Sequence, residues 1–410
     1  MFPALADADM GSIPPDPDGA DPHDLVRPPA GRAVALFIPA LNGGGAQRVV
    51  VTLANEFVNL INRPIHVVLC RKEGPFLTDL RPEVHVIDLK AGRTWRSIGR
   101  LALYLRRCRP VVIMSSLNYA NIICTAAHGF AGRPCRLVLR ETNVRVSAEI
   151  SGTYALRQWG MGLLMRRLYP RADATIANSP DTLDSLLRAG IPIADKAVAI
   201  GNPVSIPSAV KRVNAASALS IPEGIRFLCA IGRLTRQKAF DKLIDAFAII
   251  RTPEIHLIIL GEGPERNALV HHARELGVGD RVHLPGFLCD AYQVVSSSQG
   301  VVLSSRWEGF GNVLVEALAM GVPVVATDCP GGPRMILEDG KYGTLVPVND
   351  VTGLAKAMDD MLDRPTATPA MRHARAASFS PARIAGRYLD VLLPDWSRQS
   401  DVRADFHHDN

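Results

Sequence analysis

Twice along this chain, short runs rich in Val, Ile and Leu alternate with longer stretches whose apolar residues recur every three to four positions. The first series starts at Ala33 with "AVALFIPAL", passes through the glycine run "NGGGAQ" and continues into "RVVVTLANEFVNL". It goes on through "IHVVLC", the amphipathic "TWRSIGRLALYLRRCR", "PVVIMSSL" and "RLVLRET". A second series restarts with "IRFLCAIGRL" and "DKLIDAFAII", then "IHLIILGEG", "ERNALVHHARELG", "RVHLPGF", "GVVLSS", "PVVAT" and "GTLVPV". Short β-branched runs alternating with helical spacing predict parallel strands covered by helices. Between the series lies "IGNPVSIPSAVKRVNAASALSIPEG", broken by prolines and glycines, which marks a boundary. The expected organisation is a disordered tail over 1–30, an N-terminal Rossmann-like domain over 31–200, a linker over 201–225 and a second Rossmann-like domain over 226–375. A C-terminal helix over 376–395 and a tail over 396–410 complete it. The tail assignment follows from the Pro, Asp and Gly content of the first thirty residues, which bury too little apolar surface to offset ordering entropy.

The length of 410 residues suits two such α/β domains, and 47% hydrophobic with 21% charged residues is ordinary globular usage. The formal charge of +6 favours an anionic partner without naming one. Seven cysteines, at 70, 108, 124, 135, 229, 289 and 329, form no Cys-x-x-Cys pair, so free thiols in a reducing compartment are expected. The N-terminus is acidic where a signal peptide would be basic and then apolar, and no apolar run approaches a membrane span. The expectation is a cytoplasmic protein.

In an open parallel sheet, ligands sit at the carboxyl ends of the strands, and the glycine clusters fall there. "NGGGAQ" follows a strand and opens a helix, so its amides can approach an anion, although a tight strand-to-helix turn explains the same residues. It lacks the G-x-G-x-x-G spacing of a dinucleotide fingerprint. "GRLTRQKAF" places Arg233 and Lys238 after a strand and before a helix, where two cations converge on a diphosphate. A solvated loop is the ordinary reading of such cations, but their position at a strand end favours a ligand. "SRWEGFGNVLVEALAMG" carries Glu308 in a glycine-broken loop and Glu316 in a helix, with seven residues between them. Glu316 can accept two hydrogen bonds from a ribose diol, and Glu308 can meet the hydroxyls of another sugar. A helix-dipole role for Glu316 accounts for neither Glu308 nor the glycines.

Together with "GEGPERNAL", "RVHLPGF" and "GTLVPVND", these segments resemble retaining glycosyltransferase family 4, with its E-x7-E motif, over about residues 33 to 390. The resemblance implies the GT-B fold: two Rossmann-like doubly wound parallel-sheet domains facing across a cleft, the first for the acceptor and the second for the donor. It implies that Arg233 and Lys238 bind the donor diphosphate, that Glu316 holds the nucleotide ribose and that Glu308 contacts the transferred sugar. These make Glu308, Arg233 and Lys238 the catalytic set. Amides of Phe310, Gly311, Asn312 and Val313 serve the sugar and phosphates, the Pro285 to Leu288 loop, including Phe287 and Leu288, holds the base, and Gly44 and Gly45 close on the diphosphate. Two departures stand out. Ala239 follows the lysine where relatives carry glycine, and Asn118 and Tyr119 occupy the region where many relatives have a histidine. "RETN" resembles an acceptor-side segment, which adds Arg140 and Glu141.

The implied activity is hexosyl transfer from a nucleotide-diphosphate sugar, a UDP-sugar by expectation, to a glycan or lipid-linked acceptor in cell-surface polysaccharide assembly. No cofactor and no metal are expected, since no Asp-x-Asp pair stands beside the diphosphate loops and two cations do. No nucleic-acid partner is expected. Two arginine-rich helices bearing Trp95 and Trp159 suit an anionic membrane surface at the inner face of the cytoplasmic membrane, or simply cover a core with a solvated arginine face. The alternative from another class is a catalytically silent nucleotide-sugar-binding or peripheral membrane protein, motivated by Ala239 and the missing histidine. An epimerase or phosphorylase of the same fold lacks an evident catalytic lysine or acid pattern.

Overall fold

A computed structural model of the chain describes residues 32–144, 153–205, 224–288 and 291–396. The expected N-terminal tail, most of the linker, Cys289 and the last fourteen residues lie outside the described residues, as does the side chain of Arg157.

The first sheet comprises β1 (Val34–Ile38), β2 (Ile65–Leu69), β3 (Val84–Asp88), β4 (Val112–Ser116), β5 (Arg136–Glu141), β6 (Ala174–Ala177) and β7 (Ala197–Ala199). Its order is β3-β2-β1-β4-β5-β6-β7, every pairing parallel. The second comprises β8 (Arg226–Ile231), β9 (Ile255–Leu260), β10 (Val282–Gly286), β11 (Gly300–Leu303), β12 (Val324–Thr327) and β13 (Thr344–Val346). It runs β10-β9-β8-β11-β12-β13, again parallel throughout. These are the two doubly wound sheets expected. Central strands such as "VALFI" are buried at every position, which is why they read as continuous apolar runs rather than as alternation. In both sheets the order reverses beside the first strand, between β1 and β4 and between β8 and β11, and these switch points open toward one another.

The helix Gly45–Leu60 buries Val49, Val50, Leu53, Ala54 and Phe57 along one face. The stretch expected as one helix over 94–109 is instead a 3-10 turn, Thr94–Arg96, followed by the helix Ser97–Cys108. Leu101, Tyr104 and Leu105 face the core there, while Arg106 and Arg107 face solvent. The last helix, Pro381–Leu392, packs back on the first domain against the Gly45–Leu60 helix. Tyr388, Leu389 and Leu392 join an apolar cluster with Leu36, Phe57, Ile200 and Phe310, so the cores of the two sheets are continuous across the crossing point.

Candidate active site

The glycine loop at the end of β1 turns through positive φ at Gly43 and Gly44, 101° and 133°, a region that favours glycine. The helix it opens has no side-chain cap and no acidic residue in its first turn, which leaves its amides and dipole free for an anion. Opposite, Gly311 with φ 96° caps the helix Asn312–Ala319, which also lacks a side-chain cap. A Cβ on Gly45 would lie 3.6 Å from Asn312 Nδ2, so the two helix starts face each other across a narrow gap.

On the floor of that gap, Lys238 Nζ meets Glu308 Oε1 at 2.5 Å, and Ser305 Oγ donates to the same oxygen at 2.5 Å. The glutamate is 6% exposed. Gly232 makes room for the lysine, since a Cβ there would lie 2.8 Å from Lys238 Cε. Ala239, after the lysine, holds φ 49° and ψ 42°: the loop keeps the left-handed turn that glycine tolerates best, with an alanine in it. Arg233 stands exposed near the same loop with no ion-pair partner among the described residues. Glu316 is half-buried; burial pushes its carboxyl above the usual range, and Arg48 opposes that shift.

The loop that carries Glu308 is clamped on two sides. Behind it, the Glu308 amide donates to the Pro330 carbonyl at 2.9 Å, and Gly331 and Gly332 press so closely that added Cβ atoms would lie 2.4 Å from Glu308 O and 1.9 Å from Phe310 O. In front stands the first domain: a Cβ on Gly309 would lie 2.1 Å from the Thr142 carbonyl, which Asn178 Nδ2 also reaches at 2.8 Å. Asp181 accepts a hydrogen bond from the Gly331 amide at 2.8 Å. Both domains thus hold the glutamate loop.

Of the residues singled out from the sequence, Lys238, Glu308, Gly44, Gly45, Asn312 and Glu316 surround this cleft. The Phe310 and Val313 side chains are buried, Phe310 edge-on to Phe379 at 5.6 Å, so only their backbones remain for a ligand. Phe287 is 71% exposed and Leu288 half-buried on the loop after β10. Asn118 and Tyr119 begin the helix Asn118–Phe130 at the end of β4, behind Leu117, which holds φ 89°. Tyr119 is 43% exposed. Arg140 and Glu141 are not on the cleft surface: both are completely buried. Glu141 accepts from Asn121 Nδ2 at 2.8 Å and from the Tyr169 hydroxyl. Arg140 donates to Ser116 Oγ, Asn202 Oδ1 and Tyr388 OH.

Sequence reasoning missed Arg48, Thr142, Asn178, Asp181 and Asn202. Arg48 was findable, because it stands four residues after Gly44 and so projects from the first turn of the loop's own helix. The others act across the domain boundary, and no local pattern marks them. Among the described residues, no group of three or more His, Cys, Asp or Glu side chains could hold a metal ion. No helix among them is long and apolar enough to cross a membrane.

Comparison with known proteins adds to this geometry. Residues 43–206 match the family model described as Glycosyltransferase Family 4, and residues 213–378 match that of Glycosyl transferases group 1. A Campylobacter jejuni protein named N-acetylgalactosamine-N,N'-diacetylbacillosaminyl-diphospho-undecaprenol 4-alpha-N-acetylgalactosaminyltransferase is 28% identical over 374 residues, 88% of this chain and 99% of that protein. LpsE of Rhizobium meliloti, a lipopolysaccharide core biosynthesis glycosyltransferase, is 33% identical over 42% of this chain and 46% of its own length. Among solved structures, HepE of Anabaena in complex with UDP and glucose superposes with a TM-score of 0.71 at 24% identity, covering 88% of this chain and 99% of that one. The apo form of the lipopolysaccharide outer core galactosyltransferase WaaB gives 0.69 at 18% identity, covering 89% and 99%. The chain is a hexosyltransferase-type glycosyltransferase of the GT-B fold, its first domain similar to the Glycosyltransferase Family 4 model and its second to the Glycosyl transferases group 1 model.

Proposed function

We propose that the protein transfers a hexosyl group, with retention, from a UDP-sugar to a lipid-linked glycan during assembly of a cell-surface polysaccharide. The observation that carries this reading is the convergence on one cleft of two uncapped helix starts, the Lys238–Glu308 pair and Glu316. That HepE is solved with UDP and glucose, and that the Campylobacter relative is named for an undecaprenol-diphosphate acceptor, supports it.

In this mechanism the bond between the sugar's anomeric carbon and the phosphate oxygen breaks, and its electron pair leaves with the diphosphate. An acceptor hydroxyl oxygen bonds the same carbon from the same face, and its proton passes to the departing phosphate oxygen. Lys238, Arg233 and the amides before Asn312 stabilise the growing negative charge, the kind of preorganised electrostatics that usually contributes most. Glu316 holds the ribose and Glu308 the sugar hydroxyls, with Lys238 moving from the carboxylate toward the phosphate when donor binds. Because these cations neutralise the leaving group, we propose that no metal and no cofactor is required.

Trp159 and Leu163, 67% and 54% exposed, stand one turn apart on the helix Thr153–Leu168, with Arg167 a further turn on. Such an apolar stripe ending in a cation suits the headgroup region of an anionic membrane, and we place the enzyme on the cytoplasmic face, with no role for nucleic acid. The test is release of nucleoside diphosphate from a panel of nucleotide sugars, alone and with lipid-linked acceptors. Release from one sugar that disappears in Glu316→Ala supports the reading; binding with no release for any sugar and acceptor overturns it.

A further inference from the structure

Arg140 is an uncommon group to bury: 0% exposed, at the carboxyl end of β5, with three neutral oxygens as partners and no carboxylate among the described residues. Its Nε donates to Tyr388 OH at 2.8 Å, Nη1 to Ser116 Oγ at 3.0 Å and Nη2 to Asn202 Oδ1 at 2.6 Å. A cation held this way is costly to desolvate, and the bonds reach the first domain, the linker and the last helix at once.

The guanidinium sets the orientation of two amides in turn. It has donors and no acceptor, so Asn202 must turn its oxygen to Arg140 and its amino group away. That amino group, Nδ2, donates to Asn312 Oδ1 at 2.9 Å. With its oxygen so occupied, Asn312 must present its own amino group on the far side, where it faces Gly45 of the glycine loop. We infer that Arg140 and Asn202 are positioning residues that lock the Asn312 side chain with its amino group toward the cleft, as a hydrogen-bond donor to the phosphates of the nucleotide sugar. The inference rests on the donor class proposed for this cleft. It adds a side-chain contact to the backbone amides of that helix start, and it makes the contact depend on closure, since Arg140 belongs to one domain and Asn312 to the other.

The test is the affinity of the full-length protein for UDP, GDP and ADP and for the matching nucleosides. Asn202→Asp still accepts from Arg140 but cannot donate to Asn312, which frees that amide to turn its oxygen to the cleft. Affinity for the nucleoside diphosphate that the wild type prefers should fall at least about tenfold, the range for one hydrogen bond to a charged group, while nucleoside affinity stays within about twofold. Asn312→Leu should lose a similar factor, and the double variant no more than the larger single loss, because both remove one contact. Arg140→Lys, which can only donate, should keep more affinity than Arg140→Gln, which can present either group. Unchanged affinity in Asn202→Asp, equal loss for nucleoside and diphosphate, or losses that multiply in the double variant would each overturn the relay; if the Arg140 variants do not fold, the Asn202 series decides alone. A wild type that binds none of the three diphosphates would instead refute the proposed donor class itself.

Discussion

Lys238 and Glu308 form an ion pair of 2.5 Å in which the carboxylate is almost completely enclosed and the lysine is not. The asymmetry has a consequence for single substitutions. Lys238→Met leaves a buried carboxylate with only Ser305 as partner, and should cost about 3 kcal/mol of stability. Glu308→Gln leaves a lysine that still reaches solvent and should cost under about 1 kcal/mol. Both should lower turnover at least a hundredfold, so urea melts separate the two variants where activity does not. Equal destabilisation would mean that the pair is not enclosed as described.

Gly309 is one of the points where the second domain packs directly on the first. Gly309→Ala puts a methyl carbon at about the 2.1 Å approach to the Thr142 carbonyl, which forces the domains apart. Each sheet also has a core of its own on one face, away from the shared cluster, so the melting temperature should move little while turnover falls at least tenfold, the sensitivity expected when a catalytic constellation is misplaced. Small-angle scattering with donor present should show a protein that no longer closes.

Glu316 is held half-buried with its carboxyl pushed above its usual range by desolvation. A raised acid weakens the fold as pH climbs from the ordinary carboxylate range through its raised value, and the loss is relieved as pH falls back through that interval. Glu316→Gln should therefore raise the melting temperature of the unliganded protein by a degree or more, and at the same time remove the stabilisation that nucleotide gives the wild type. Thermal shift with and without UDP measures both. A lower melting temperature in the unliganded variant would contradict the sign.

Ala239 holds a left-handed backbone at φ 49° while 1% exposed. Ala239→Gly relieves about 1 kcal/mol of steric strain, and loses a similar amount through the freer unfolded chain and the lost methyl. Stability should change by less than about 1 kcal/mol and turnover should persist. Loss of activity in this variant would show that the methyl itself shapes the lysine loop.

His66 sits inside the first sheet, fully buried, its Nδ1 2.9 Å from Tyr104 OH. Burial first, and then the neighbouring His85, push its pKa down from 6.5 to about 4. The unfolded chain thus takes up this proton at higher pH than the folded one, so the contribution is complete above about pH 6.5, declines from there to pH 4 and is absent below. It amounts to on the order of 3 kcal/mol. His66→Gln should flatten that part of the stability profile in urea titrations across this window, and an unaltered slope would rule out the assignment.

Much of this fold was legible because its evidence is local. "AVALFIPAL" and "IHLIILGEG" announce buried parallel strands by composition alone, and the glycine loops mark the strand ends that face the cleft. Strand β3, "VHVID", escaped notice because His85 and Asp88 interrupt it and its exposed and half-buried positions dilute the apolar signal. The site divides in the same way. Lys238, Glu308 and Glu316 lie in recognisable loops, whereas Arg140, picked out as an acceptor-side group, proves to be interior, because nothing in "RLVLRET" tells which side of a parallel strand's end meets another domain. Asn202 was visible only as part of a broken linker, and its partners come from positions far away in the chain.

The return of the Pro381–Leu392 helix to the first domain also sets a schedule. During synthesis the first sheet can pair its strands early, but part of the Gly45–Leu60 helix and the Arg140 Nε–H, which donates to Tyr388 OH, wait for Pro381–Leu392, a helix made after the second sheet. The first domain therefore reaches its finished surface last, after the second has been made, and a ribosome-bound chain stopped before residue 381 would hold an apolar face open to solvent or to a chaperone.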